Sequence, residues 1–225
     1  MIEHRFAVAA TPEVDLDVRT AEIVLDRGPA GAVTVQVEAK NAGDWSVTQH
    51  GDAVIVRDER SGWRTRSGGR VRVTVPDHTA ARITTASGDV AVTVATGRTQ
   101  VTTASGDVRV AIATALTVKT ASGDIVVDRV ATDVTVKSAS GDLKANEIGG
   151  SLDASTASGD IRVDRLTGDA RASTASGDIR VGVFAGEQFV ANTVSGDVSL
   201  GVPAGRSVDL DVNTLTGDVV LPERR

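Results

Sequence analysis

Apolar and polar positions alternate in short runs over the C-terminal two thirds of the chain, and the runs recur at a fixed interval. The marker of that interval is Ser-Gly-Asp, once Thr-Gly-Asp, with glycines at Gly88, Gly106, Gly123, Gly141, Gly159, Gly177, Gly196 and Gly217. Successive steps are 18, 17, 18, 18, 18, 19 and 21 residues, a period short enough to define one structural unit per repeat. Two residues after each glycine stands Val90, Val108, Ile125, Leu143, Ile161, Ile179, Val198 or Val219. The fourth residue after it is again apolar, and the one between them is mixed. This is the period of a strand with one buried face. Before the glycine, the fifth residue back is Ile, Val or Ala in every copy, and its successor is always polar. Each repeat therefore holds two short strands. A second turn shows in Gly149-Gly150, Thr167-Gly168, Ala185-Gly186 and Ala204-Gly205. Two strands and two turns in about 18 residues leave no room for a helix.

Equivalent positions keep their own character from repeat to repeat. A parallel coil explains this, because it stacks each residue on its equivalent; a meander would not bring equivalent columns together. The pattern predicts an all-β chain, a two-sided parallel β-solenoid (β-helix), right-handed by the general preference of parallel crossovers. Residues 81–225 form the solenoid with its eight repeats, and residues 1–80 an irregular β cap over its edge. Candidate strands in the cap are Val14–Val18, Ile23–Leu25, Val33–Val37, Trp45–Thr48, Ala53–Val56 and Val71–Val75, with a hairpin turn at Gln49–Asp52. Thr20-Ala21-Glu22-Ile23 resembles a decayed repeat. Whether these eighty residues continue the solenoid or fold as a sandwich stays open at this level. Pro222, Glu223, Arg224 and Arg225 are expected to blunt the other edge.

The repeated residues read as turn chemistry. Glycine reaches positive φ without a Cβ clash. The aspartates that follow (Asp89, Asp107, Asp124, Asp142, Asp160, Asp178, Asp197 and Asp218) can accept bonds from turn amides. In register they form a carboxylate ladder with neighbour repulsion of about 0.9 kcal/mol at the dielectric of water. Amides and the nearby Arg109, Lys144, Arg162 and Arg180 are expected to offset it. Calcium binding by this ladder is the competing reading; against it, only one turn in two carries Asp. The third residue before each glycine is a hydroxyl, from Thr85 to Thr214, expected to point inward and bond along the stack. Eight copies without a neighbouring base speak against a catalytic threonine. The outward column reads Thr, Thr, Lys, Lys, Ser, Ser, Asn, Asn, unlike a flat ice-binding face.

Composition adds exclusions. Net charge is −6, too mild and of the wrong sign for a nucleic-acid coat. Cysteine is absent, which removes disulfides and thiolate zinc sites, and the three histidines lie far apart. No cofactor or metal set emerges. Aromatics are only 2%, so the core must be built in thin aliphatic layers. The charged start and the lack of a long apolar run predict a cytoplasmic protein without a transmembrane segment, with peripheral envelope association as the variant. One segment departs from the rest: Arg57 to Arg72 packs six Arg around Trp63. Arg60, Trp63, Arg64, Arg66 and Arg70 are its candidate partner-binding residues, with Arg forks for an anionic partner and Trp as anchor. The competing reading is a solvated hairpin tip.

Val71-Arg-Val-Thr-Val-Pro76 followed by Thr-Ala-Ser-Gly-Asp units resembles the bacterial β-strand-repeat putative adhesins, domain of unknown function 4097, over roughly residues 14–221. The resemblance implies a β-solenoid with no known catalytic site, with some relatives linked to the cell envelope and its stress responses. The expected function is a non-enzymatic adhesin-like or scaffold protein that binds a protein or cell-envelope component through its faces. Self-association through open edges is the alternative. A carbohydrate-active β-helix enzyme is a third, disfavoured by dispersed acids and short loops.

Overall fold

In the computed structural model, which describes residues 1–39, 44–59 and 69–221, backbone pairing produces strands throughout and no α-helix. The chain is a parallel β-solenoid with roughly 18 residues per coil, as the column pattern requires. Its residues group into two compact units, Met1–Thr114 and Ala115–Arg225. The change in sequence regularity near residue 80 falls inside the first of these.

In the first unit the strands are β1 (Ile2–Ala7), β2 (Glu13–Val18), β3 (Ala21–Arg27), β4 (Ala32–Glu38), β5 (Trp45–His50), β6 (Ala53–Asp58), β7 (Gly69–Val75), β8 (Ala80–Ser87) and β9 (Val90–Ser105). Every strand expected from the alternation is present; β1 is additional. Its short Ile2, His4, Phe6 alternation carries little burial, with only two positions half-covered. The coil made by β2 and β3 lies between two others: β2 pairs in parallel with β6 and β8, and β3 with β7 and β9. Residues 53–58 and 69–75 therefore stack outside residues 13–27, an order unlike that of the chain. Antiparallel strands cover the outer side, β4 along β7, β1 along β4, and β5 along β6 through the Gln49–Asp52 turn. The segment that resembles a decayed repeat stacks on a true one: Ile23 N donates to Asp89 O at 2.9 Å, and Ile23 stands opposite Val90.

The second unit continues with β10 (Val108–Ser122), whose first half belongs to the first unit. Then come β11 (Ile125–Val130), β12 (Val134–Ser140), β13 (Leu143–Ile148), β14 (Leu152–Ser158), β15 (Ile161–Leu166) and β16 (Ala170–Ser176). The last are β17 (Ile179–Phe184), β18 (Gln188–Ser195), β19 (Val198–Leu200), β20 (Asp209–Thr216) and β21 (Val219–Val220). Even-numbered strands from β10 to β20 pair in parallel as one sheet, odd-numbered ones from β11 to β21 as the other. Between the sheets, columns of Ile, Leu, Val and Ala are buried, and Phe184 packs edge-on against Phe189 with ring centres 5.4 Å apart. The small Ala145, Ala154, Ala172 and Ala191 keep the layer thin, as a core nearly free of aromatics must be.

Two constraints explain the invariant turn glycine. Seven of the eight adopt φ between +132° and +150°; Gly88, stacked on Ala21, is the exception. All that have a described neighbour also lack space: a Cβ on Gly159 would sit 2.2 Å from the carbonyl oxygen of Gly141. Gly205, also at positive φ (+81°), has nothing within 4 Å. Gly159→Ala is therefore expected to cost about 3 kcal/mol or more, through strain plus clash, and Gly205→Ala about 1–2 kcal/mol through strain alone. Equilibrium urea unfolding of both variants measures the difference, and equal losses would remove the clash from the account.

Candidate functional site

The aspartate ladder is consumed by the fold. Asp89 Oδ1 accepts from Asp107 N at 2.9 Å, and the same bond recurs from Asp124 to Asp142, Asp142 to Asp160, Asp160 to Asp178, Asp178 to Asp197 and Asp197 to Asp218. Each carboxylate thus holds the turn amide of the next coil. The second oxygen takes a guanidinium where the repeat supplies one: Arg109 to Asp107, Arg162 to Asp160 and Arg180 to Asp178, at 2.6–3.1 Å. Lys144 makes no such pair among the described residues. The charge repulsion expected of stacked carboxylates is thereby offset locally, and oxygens engaged in this way are poorly placed to gather around a cation.

The inward hydroxyls behave otherwise than predicted. They do not bond to one another; Thr174 donates to Gly159 O (3.3 Å), Thr193 to Gly177 O (3.4 Å) and Thr214 to Gly196 O (3.2 Å). Coil spacing of about 4.8 Å exceeds the reach of a hydroxyl–hydroxyl bond, whereas the turn carbonyl of the preceding coil lies within it. The hydroxyls of Thr103, Ser138 and Thr156 are buried without a partner.

Of the arginine-rich segment, Arg60, Trp63, Arg64 and Arg66 lie outside the described residues. Arg70 is described, on β7, where its guanidinium bonds Glu22 through Nε (3.0 Å) and Nη2 (2.7 Å), which holds its pKa above the ordinary arginine value. Arg57 likewise pairs with Asp15 at 2.7 Å and Arg72 with Asp26 at 3.0 Å. The described part of this cluster is thus neutralised by acids on β2 and β3, which strand order hides from the sequence.

A different surface keeps its polar groups uncommitted. On the outer face of the second unit, a shallow groove of about 380 Å³ crosses β12, β14, β16 and β18. Strand register places Thr135, Asp153, Arg171 and Val190 side by side along it. Asp153 and Arg171 are exposed neighbours, yet neither takes an ion pair or side-chain hydrogen bond among the described residues, in contrast to Arg129, Arg162 and Arg180 on the other sheet. The rim is rigid by comparison. Asp133 Oδ1 accepts from Ser151 N (2.9 Å), and Asp169 Oδ1 from Gln188 N (2.9 Å) and Glu187 N (3.0 Å). The amides of Gln188 and Glu187 hold the Asp169 carboxyl below the usual carboxylate range. The alternation marked these positions as outward, but nothing in one repeat distinguishes Asp153 or Arg171 from other surface charges. Among the described residues no three His, Asp or Glu side chains are grouped to hold a metal ion. No helix there is long and apolar enough to cross a membrane.

Because its folded pKa is lowered, the stabilisation from Asp169 is present above the ordinary carboxylate pKa. It is lost as pH falls through the depressed value. Asp169→Asn should therefore be less stable than the parent at neutral pH, with the gap closing only in strong acid. Unfolding midpoints measured across that range check this, and a gap independent of pH would remove the charged carboxylate as its cause.

Similarity to known proteins follows the architecture. Two crystal structures of putative adhesins superpose over most of their length. The one from Parabacteroides distasonis has a TM-score of 0.54 at 12% identity and covers 98% of this chain and 96% of its own. The one from Bacteroides fragilis has 0.57 at 13%, covering 89% and 96%. A further Parabacteroides distasonis structure, of a putative lipid binding protein, gives 0.51 at 14% and covers 89% and 96%. At such identities the likeness is one of fold. A search of curated proteins finds no match. The family model of the Toastrack DUF4097 domain matches residues 12–225, nearly the whole length, and the chain belongs to that family.

Proposed function

We propose that this chain is a non-enzymatic, adhesin-like binding protein whose outer face holds a protein or cell-envelope component. The observation that carries the reading is the uncommitted pair Asp153 and Arg171, neighbours in register within the groove, on a unit where Arg129, Arg162 and Arg180 are ion-paired. A donor and an acceptor held about 4.8 Å apart on rigid parallel strands offer recognition at little ordering cost. The flanking Thr135 and the side chain of Gln188 extend the polar surface, and Val190 adds an apolar contact. The names of the structural neighbours, adhesins in two cases, agree with a binding role.

The absence of catalysis in this reading rests on chemistry. Six of the eight ladder acids are tied to amides, as are Asp133 and Asp169 at the rim of the groove, and the free acid Asp153 stands in register with Arg171. The arginine-rich segment of Arg60, Trp63, Arg64, Arg66 and Arg70 is the second candidate contact, its described member already engaged by Glu22.

The test uses cell-envelope fractions and soluble lysate of the native host, with the immobilised chain as bait. Asp153→Ala with Arg171→Ala should reduce the recovered partner by about tenfold or more. Replacing Arg64, Arg66 and Arg70 by Ala should leave it unchanged. The reverse pattern would move the contact to the arginine-rich segment, and turnover of an added polysaccharide would overturn the non-enzymatic reading.

A further inference from the structure

Six of the eight large apolar side chains exposed among the described residues stand at the end of the second unit: Val194, Leu210, Leu215, Val219, Val220 and Leu221. They have two origins. Leu210 and Val219 sit in register on Phe189 and Val198, which are fully buried, so they belong to core columns with cover on one side only. Leu215 (81% exposed) and Val194 (52%) point outward, in the column that carries Ala121, Ala139, Ala157 and Ala175 in earlier coils. The apolar character therefore wraps from the core onto the outer rim of this end.

Where this edge is described, its backbone is also unsatisfied on one side; Pro222, Glu223, Arg224 and Arg225, expected to blunt it, lie outside the described residues. Among the described residues β20 pairs with β18 alone. Asp209 N donates to Glu187 O at 2.8 Å, so Asp209, Asp211 and Asn213 turn their amides and carbonyls toward β18. Leu210, Val212 and Thr214 turn theirs the other way. A row of free backbone groups beside exposed core residues is a template for strand addition.

We propose that a second copy of this chain covers this edge, β20 pairing with β20 in antiparallel sense about a two-fold axis through Val212. That register brings the edge-facing residues together in three hydrogen-bonded pairs: Leu210 with Thr214, Val212 with Val212, and Thr214 with Leu210. On the outer face it sets Asp211 opposite Asn213 and Asp209 opposite Leu215, so no carboxylate faces another. Moving the axis one residue toward the N-terminus would oppose Asp211 to Asp211. The strand is thus self-complementary in charge only near the chosen register. Because the contact is isologous it closes as a dimer and does not propagate. Head-to-tail addition would seat this end on β1 or β5, each paired on one side only among the described residues, and both expose polar residues: Glu3, His4 and Arg5 on β1, Thr48, Gln49 and His50 on β5. This proposal is independent of the groove reading.

Sedimentation velocity of the full chain over a wide concentration range should show a monomer–dimer equilibrium. Leu215→Glu changes a side chain already in solvent, sets a carboxylate opposite Asp209 of the second copy, and should keep the circular-dichroism spectrum while weakening the dimer about tenfold or more. Opposed positions that share no hydrogen bond hold their Cα atoms about 4.5 Å apart, within disulfide range. Since the chain has no cysteine of its own, Asp211→Cys and Asn213→Cys can be mixed and oxidised. Mixed disulfide dimers should form in the mixture and not in either variant alone. A monomer at all concentrations, open-ended polymers, or cross-linking equal in single and mixed samples would each overturn the proposal.

Discussion

Stacking of one turn directly on the next is the constraint from which the rest of this structure follows. At the Ser-Gly-Asp corner the chain passes so close to the preceding coil that a carbonyl oxygen occupies the place of a Cβ, 2.0–2.3 Å from where that atom would be. Only glycine satisfies both this contact and the positive φ found in seven of the eight copies. The aspartate beside it then ties the next amide with its side chain, while its own carbonyl accepts from the strand of the coil before. Each corner is therefore bonded along the stack by main chain and side chain together. The strands inherit their register from the corners, and the columns of core residues inherit theirs from the strands.

This arrangement divides surface charge into two kinds. Charges at the corners and along the strand pairs are spent on the fold, as Asp160 with Arg162 and Glu147 with Arg129 illustrate. Exposed ion pairs of this sort add little stability each, but they remove the groups concerned from recognition. What remains for a partner is found where charged side chains make no such pair, as at Asp153 and Arg171. In a regular repeat, departures from the columns are the natural places to look for function, because the columns themselves are explained by stacking.

Much of this was legible in the residues. The 18-residue interval, the two strands per interval, the turn glycines and the amide-binding aspartates all follow from periodicity and local chemistry. Even Thr20 to Ile23, with Ala21 and Glu22 in place of the glycine and aspartate, was recognisable as a decayed repeat, though its place in the stack was not. The hydroxyl column was read correctly as inward and wrongly as self-bonded, since the alternation gives the side a residue faces and not the distance to its nearest acceptor. Arg70 was a candidate partner-binding residue in the linear reading and is ion-paired in the fold, because Glu22 reaches it from a strand 48 positions away.

The sequence by itself determined the class of fold, the coil length and the role of the turn residues, because those depend on interactions repeated at a constant interval. Only the tertiary structure decided that residues 53–58 and 69–75 stack outside residues 13–27, since pairing order across non-repeating strands leaves no periodic trace. It alone set which charges are spent and which stand free in the groove. Both outcomes depend on which strands become neighbours, and that choice is made by the burial of whole faces, not by any local preference.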